Sequence, residues 1–254
     1  MKKNNVIIIL VIAILIVILG VLSYGYYIKI NNVVKNPIAT IEIEGYGKII
    51  VELYPGMAPN TVNNFIALAN SGFYDGVIFH RTIPEYMIQA GLKKDDTEYS
   101  PKLSNLQSNV DQDSDYNIKG EFLANGYSIN TLRHEEGVIS MARADYTQYS
   151  SNLSEESYNS GSGQFFIMTN NNSNLNGYYA AFGKVIEGME IVHKIENLEV
   201  ETREKEEGKT QDKPLAPPVI TKITVDTFGV NYPLPQVLEP FDINNYFMQL
   251  YNMQ

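Results

Sequence analysis

A mainly β fold of the barrel type, carrying two helices and preceded by one apolar N-terminal helix, is the class that the sequence predicts. Three observations lead there. Short apolar segments, several with strand-like alternation, recur from residue 38 to residue 225. Only two stretches inside that region show helical spacing, one opening at Pro59 and one at Met189. Strands and helices do not alternate as a doubly wound sheet requires. The chain has 254 residues, 44% of them hydrophobic, enough for one sizeable core with appendages.

In chain order, the first element is the segment 1–28. Lys2 and Lys3 precede an unbroken apolar run reaching Leu22, and Tyr24, Tyr26 and Tyr27 follow. A helix of roughly 20 residues spans about 30 Å, the hydrocarbon thickness of a bilayer, and tyrosines suit its interface. The competing reading is a cleaved secretory signal, whose apolar part is about 7–15 residues and ends in small residues. The longer run and its bulky close favour an uncleaved transmembrane anchor. Both lysines precede the run, so the positive-inside rule puts the N-terminus in the cytoplasm and the remainder outside the cell.

Residues 29–37 are a polar spacer ending at Pro37. The domain opens with I-A-T-I-E-I-E, G-Y-G and K-I-I-V-E-L-Y, a hairpin by its alternation and central glycines. From Pro59 a helix is predicted: Val62, Phe65, Ile66 and Ala69 follow the i, i+3, i+4, i+7 rule, and Gly72 ends it. Further strands are predicted over 77–81, 86–89, 137–142, 164–169, 179–185 and 219–225, with the second helix over 189–197. Residues 93–119, 145–163 and the charged run 201–209 read as loops, the middle one as a surface excursion. The domain spans 38–228. The tail, 229–254, is Pro-rich and extended at first and aromatic at its end, which either packs back on the domain or binds a partner.

Composition removes several function classes. The formal charge of -10 leaves no basic footprint for nucleic acid. The chain has no cysteine, which excludes disulfides, thiol nucleophiles and thiolate metal sites. Its three histidines, His80, His134 and His193, lack metal-ligand spacing, and neither metal nor cofactor is expected.

Four stretches stand out in order: F-H-R-T-I-P-E-Y-M-I-Q-A-G (79–91), G-V-I-S-M-A-R-A (137–144), G-S-G-Q-F-F-I (161–167) and L-N-G-Y-Y-A-A-F-G-K-V-I-E-G-M (175–189). The first puts a permanent charge in a segment that otherwise reads as barrel wall. Together they resemble the cyclophilins, the cyclophilin-type peptidyl-prolyl cis/trans isomerases, over residues 39–228. The resemblance implies a closed eight-stranded antiparallel barrel capped by two helices, with a substrate groove on its outer wall. It implies a catalytic arginine at Arg81 supported by Gln89, and a proline cup of Tyr86, Met87, Phe166 and Leu175. It adds a second glutamine, Gln164, a peptide-pairing stretch at Ala142, Arg143 and Ala144, and Tyr179 where eukaryotic relatives carry histidine. His80 neighbours the arginine but, by strand alternation, faces the other way as a packed structural residue.

Departures from the family pattern bear on ligand preference. Tyr86 stands for the common phenylalanine, Ala90 and Leu92 for Gly and Asp, and Asn174 for the tryptophan of cyclosporin-sensitive relatives. Cyclosporin binding is therefore expected to be weak. The expected partners are proline-containing polypeptides on the outer side of the membrane. The rival function is a non-catalytic peptide-binding module with the same groove.

Overall fold

The structure, a computed structural model, describes residues 3–31, 35–204 and 210–252, and within its first helix the side chains of residues 11–25. The chain divides into two units, Met1–Lys35 and Asn36–Gln254. The first holds helix α1 (Lys3–Asn31), whose described side chains are all exposed. Among the described residues no helix is long and apolar enough to cross a membrane. The spanning helix expected over 1–28 is thus not found among the described residues. The rest of that segment, part of the spacer, and residues 205–209 of the charged run lie outside the described residues.

The second unit contains eight strands: β1 (Ile38–Ile43), β2 (Gly47–Leu53), β3 (Val77–Ile83), β4 (Met87–Lys93), β5 (Val138–Met141), β6 (Phe165–Met168), β7 (Ala181–Glu187) and β8 (Ile220–Asp226). Helix α2 (Pro59–Asn70) follows β2. The short α3 (Ser154–Tyr158) lies before β6, α4 (Met189–Glu196) follows β7, and α5 (Ile243–Asn252) ends the chain. Every predicted strand exists within a few residues of its expected bounds. The strands form one antiparallel sheet in the order β3-β4-β6-β5-β7-β2-β1-β8.

The closed barrel expected from the resemblance is corrected: the sheet is an open half-barrel. Among the described residues its edge strands meet at one bridge, between Ile78 and Val219, flanked by hydrogen bonds from Phe79 N–H to Pro218 O at 3.0 Å and from Gly76 N–H to Ile220 O at 2.9 Å. Pro217 and Pro218 have no N–H to extend a ladder, and β3 is bulged just past the bridge. Further along, the β3 edge is occupied by another segment, where Thr82 N–H donates to Asp212 O at 2.9 Å. The edge is covered without being closed.

Alternation fills the concave side. Ile41, Ile49, Val51, Leu53, Ile88 and Ile167 are fully buried there, and Phe65 of α2 meets Tyr74 and Phe182 at 5.3 Å and Phe165 at 5.7 Å between ring centroids. Each such ring contributes about 1.5–3 kcal/mol by leaving water. The predicted helical face of Val62, Phe65, Ile66 and Ala69 is the buried face of α2. No residue next to α2 caps its N-terminus; the buried carboxylate of Glu121 does so from a distant loop. It accepts from Asn60 N–H at 3.0 Å, Thr61 N–H at 2.8 Å and the Thr61 hydroxyl at 2.7 Å.

The 145–163 segment is more ordered than an excursion: it contains α3, and Leu153 and Ser157 are buried. The tail packs on it. Phe241 meets Tyr146 at 5.2 Å and Phe247 meets Tyr149 at 5.6 Å between centroids, while Asn117 and Leu238 exchange backbone hydrogen bonds.

Two histidines are held neutral by burial, His80 and His134, each pushed down to about 4 from an ordinary 6.5. His134 is 1% exposed, its Nε2 3.1 Å from Ser140 Oγ and its Nδ1 3.3 Å from Asn176 Oδ1. Unfolded, both rings take up protons below about 6.5, whereas the folded chain resists until about 4. Their contribution to stability is therefore complete above pH 6.5 and is lost as the pH falls through 4. Denaturant unfolding across this window should become steadily easier, and His134→Gln should flatten the dependence; an unchanged slope in a folded variant would refute the assignment.

Candidate active site

Strand β3 carries its charge outward because it contains one extra residue. Phe79 pairs with Ala90 and Arg81 with Gln89, so His80 has no partner on β4. Without that bulge, Phe79 and Arg81 would share a face, since strand side chains repeat every second residue. With it, Phe79 is 0% exposed in the core while the Arg81 side chain is 44% exposed on the convex side. Alternation thus misjudged the local geometry at His80, which is the bulged residue.

The same pairing register aligns a row across the sheet. Arg81 on β3 lies opposite Gln89 on β4, Gln89 opposite Phe166 on β6, and Phe166 opposite Ser140 on β5. Cross-strand partners lie close on one face, so a guanidinium, an amide and a phenyl ring become neighbours without any loop positioning them. Gln89 Nε2 donates to Gln164 Oε1 at 2.9 Å, which orients the amide. Gly91 permits this approach. At φ +133 it adopts a conformation side chains avoid, and a Cβ there would stand 2.5 Å from the Gln164 backbone.

Beneath this row is a second apolar cluster, on the opposite face from the main core, built from Met87, Val138, Phe166, Met168 and Ala181. His134 stacks on Phe166, with centroids 6.1 Å apart and planes 18° apart, and Tyr179 meets the same ring edge-on at 5.5 Å. Tyr86 enters from the β3–β4 turn, where Glu85 has φ +56. Glu85 N–H donates at 2.8 Å to the Glu196 carboxylate of α4, which also meets His193 Nδ1 at 2.6 Å; His193 Nε2 lies 2.7 Å from Glu136. The Glu196 hydrogen bond, with Glu136 adding to it, raises the His193 pKa. Burial pushes up the Tyr86 phenol, which stays protonated at neutral pH.

The cluster opens to solvent at a cup of about 100 Å³ bounded by Arg81, Tyr86, Met87, Gln89, Ala142, Arg143, Phe166 and Tyr179. Gln89, Ala142 and Arg143 also border a polar pocket of about 240 Å³, whose other walls include Ala144 and Gln164. Arg143 is pinned between them: its guanidinium lies 4.5 Å from the Tyr179 ring centroid and 5.1 Å from that of Tyr158, and its Nε donates to Tyr178 O.

Of the residues singled out in the sequence, eight border the cup, and Ala144 and Gln164 border its neighbour. Leu175 packs against the apolar cluster and is not among the residues that line the cup. Asn174 is exposed and off its wall. Strand β5 ends at Met141, so residues 142–144 lie outside it; Ala142 N–H donates to Gln164 O and Ala144 N–H to Ser160 Oγ. Sequence reasoning missed His134, Glu196, Arg203 and Asp212, which support the site from other elements. Among the described residues no group of three or more His, Asp or Glu side chains could hold a metal ion.

This geometry has close counterparts among known proteins. Residues 38–225 match the family model described as cyclophilin type peptidyl-prolyl cis-trans isomerase. Peptidyl-prolyl cis-trans isomerase B of Bacillus subtilis is 36% identical over 166 residues, 65% of this chain and 95% of the relative. The enzyme cyp18 of Streptomyces antibioticus is 32% identical over 72% of this chain and 95% of its own length. The crystal structure of a cyclophilin type isomerase from Cryptosporidium parvum superposes with a TM-score of 0.56 at 25% identity, covering 75% of this chain and 97% of that one. With the family model matched over residues 38–225 and relatives of this similarity, the chain belongs to the cyclophilin-type peptidyl-prolyl cis-trans isomerase family.

Proposed function

We propose that the chain accelerates rotation about X-Pro bonds of exported or cell-surface proteins, with Arg81 stabilising the twisted amide. The observation that carries the reading is the row of Arg81, Gln89 and Phe166 along a cup of about 100 Å³. Amide resonance sets a barrier of about 18–20 kcal/mol and leaves the uncatalysed exchange at tens to hundreds of seconds. At the twisted state resonance is lost and the prolyl nitrogen regains a lone pair. A guanidinium N–H directed at that nitrogen binds the twisted state better than the planar one, the condition for a higher rate.

The other residues divide the remaining work. Met87, Phe166 and the ring of Tyr86 hold the pyrrolidine, with Leu175 backing the wall. Gln89, oriented by Gln164, holds the guanidinium and the substrate carbonyl. Residues 142–144 face the peptide backbone, and Tyr179 closes the rim. No nucleophile or titrating base takes part. Arginine suits the position because it stays charged beside apolar walls and its planar fork can be fixed by neighbours, which lysine does not reproduce. A related Cryptosporidium parvum isomerase, at a TM-score of 0.53, was crystallised in the presence of the dipeptide Ala-Pro, a ligand of the class this cup fits.

Placement at the outer side of a membrane rests on the sequence: two lysines, then the apolar run ending at Leu22. The exposure of the described part of α1, including Ile16 at 64% and Leu19 at 62%, supports contact with something other than water.

In the full chain, Arg81→Ala should lower kcat/KM for a proline peptide at least about tenfold, or roughly 1.4 kcal/mol of transition-state stabilisation, with Arg81→Lys recovering little. A folded alanine variant with unchanged activity would leave the non-catalytic peptide-binding module as the better reading. For location, the natural protein should sediment with membranes, resist alkaline carbonate and be cleaved by protease added outside intact cells. Its recovery as a secreted species starting near residues 25–30 would refute the anchor.

A further inference from the structure

Between α4 and β8, residues 199–204 pair with residues 210–215, and the two stretches dock onto β3. Glu201 N–H donates to Lys213 O at 2.8 Å, Leu215 N–H to Glu199 O at 2.9 Å and Asp212 N–H to Thr202 O at 2.8 Å. The bracket so formed docks at one residue of the β3 edge, Thr82, next to Arg81. Thr82 N–H donates to Asp212 O, and Thr82 O accepts from Arg203 Nη1. Both backbone groups of that edge position are thereby satisfied from one segment.

The bracket also delivers a carboxylate. Asp212 is 4% exposed, and its Oδ1 lies 3.3 Å from Arg203 Nη1 while its Oδ2 lies 3.8 Å from Arg81 Nε. Burying a carboxylate is costly unless it is paired, and here it is paired with two guanidinium groups. Asp212 has φ +59, a left-handed backbone that Asp and Asn accept more readily than other side chains. The contact is made at the Nε end of Arg81, a residue that borders the cup.

We propose that Asp212 is a positioning residue for the isomerase reaction, fixing the Nε end of Arg81 so that its terminal N–H groups face the prolyl nitrogen, with Arg203 holding the carboxylate in place. The inference rests on the reading of Arg81 given above. A fork held at one end loses less freedom when it meets the twisted amide, so the gain falls on the rate and not on the binding of the planar peptide. Arg203 lies within the charged run that reads as solvated loop and Asp212 just after it, so only their docking on β3 separates them from ordinary surface charges.

The test is a double-mutant cycle in the full chain. Asp212→Asn keeps the shape and the tolerance for positive φ and removes the charge. It should slow isomerisation about three- to tenfold and leave the dissociation constant for a proline peptide within about twofold. In the Arg81→Ala background it should have no further effect, because the two residues act as a unit. Equal slowing in both backgrounds, or an unchanged rate in the single variant, would overturn the proposal. Should Asp212→Asn fail to fold, Asp212→Gly, which also accepts the left-handed backbone, supplies the same cycle. An unchanged rate in Arg81→Ala itself would instead remove the catalytic reading, so the two failures are told apart.

Discussion

The single extra residue in β3 is the constraint on which the site depends. His80 has no partner on β4, and its insertion turns the strand over between Phe79 and Arg81. One side of the bulge feeds the main core, where Phe79 meets Phe165 edge-on. The other side feeds the convex face, where Arg81 joins Gln89 and Phe166 in one row. Pairing His80 regularly, without the bulge, would put Phe79 and Arg81 on one face, and a guanidinium turned into the apolar core would be there at a cost no partner offsets. The bulge is therefore required by folding as much as by chemistry. It also interrupts the edge of β3, one reason the sheet stays open beside β8.

Around this row the chain builds a support that is mostly polar at its edges and apolar beneath. The Phe166 ring has His134 against one face and the edge contact of Tyr179, which leaves it little freedom to leave the cup wall. Burial keeps His134 neutral, so no charge lies under the cup at neutral pH. The turn bearing Tyr86 is tied to α4 through Glu196, and Gln89 is tied to β6 through Gln164. Each tie crosses between elements far apart in sequence. A rigid wall with a single cation at its rim suits a reaction in which no bond is made and only the electrostatics of a rotating amide change.

Periodicity made most of this readable in the sequence. The spacing of Val62, Phe65, Ile66 and Ala69 identified α2 and its buried face, and short apolar segments, several of them alternating, located all eight strands. The four motifs identified the family and, of the eleven site residues they suggested, ten border the cup or its neighbour pocket; Ser160 and Ser162 of the pocket wall were not among them. The misses share a physical cause. A bulge changes no residue type, so Phe79 and Arg81 look like same-face neighbours until the pairing register is known. The gap between β3 and β8 depends on which backbone donors two prolines remove at a distant junction. Leu175 packs against the apolar cluster without lining the cup, a distinction of packing that residue type does not carry. Glu121, Glu196 and Asp212 act through contacts 60 to more than 100 residues away in sequence, where local pattern carries no information. The tail's prolines and aromatic end were visible, but its docking on α3 and its neighbours depends on a surface that exists only after folding.

The bulge sets Arg81 beside Gln89 and Phe166 at the mouth of the cup. This placement can be measured by nuclear Overhauser contacts from the Arg81 side chain in the isotopically labelled full chain. Cross-peaks are expected from its δ and ε protons to Gln89 and the Phe166 ring, with a shift of the guanidinium resonances when an Ala-Pro peptide is added. Cross-peaks instead to the core ring of Phe79 or Phe165, with no response to the peptide, would contradict it.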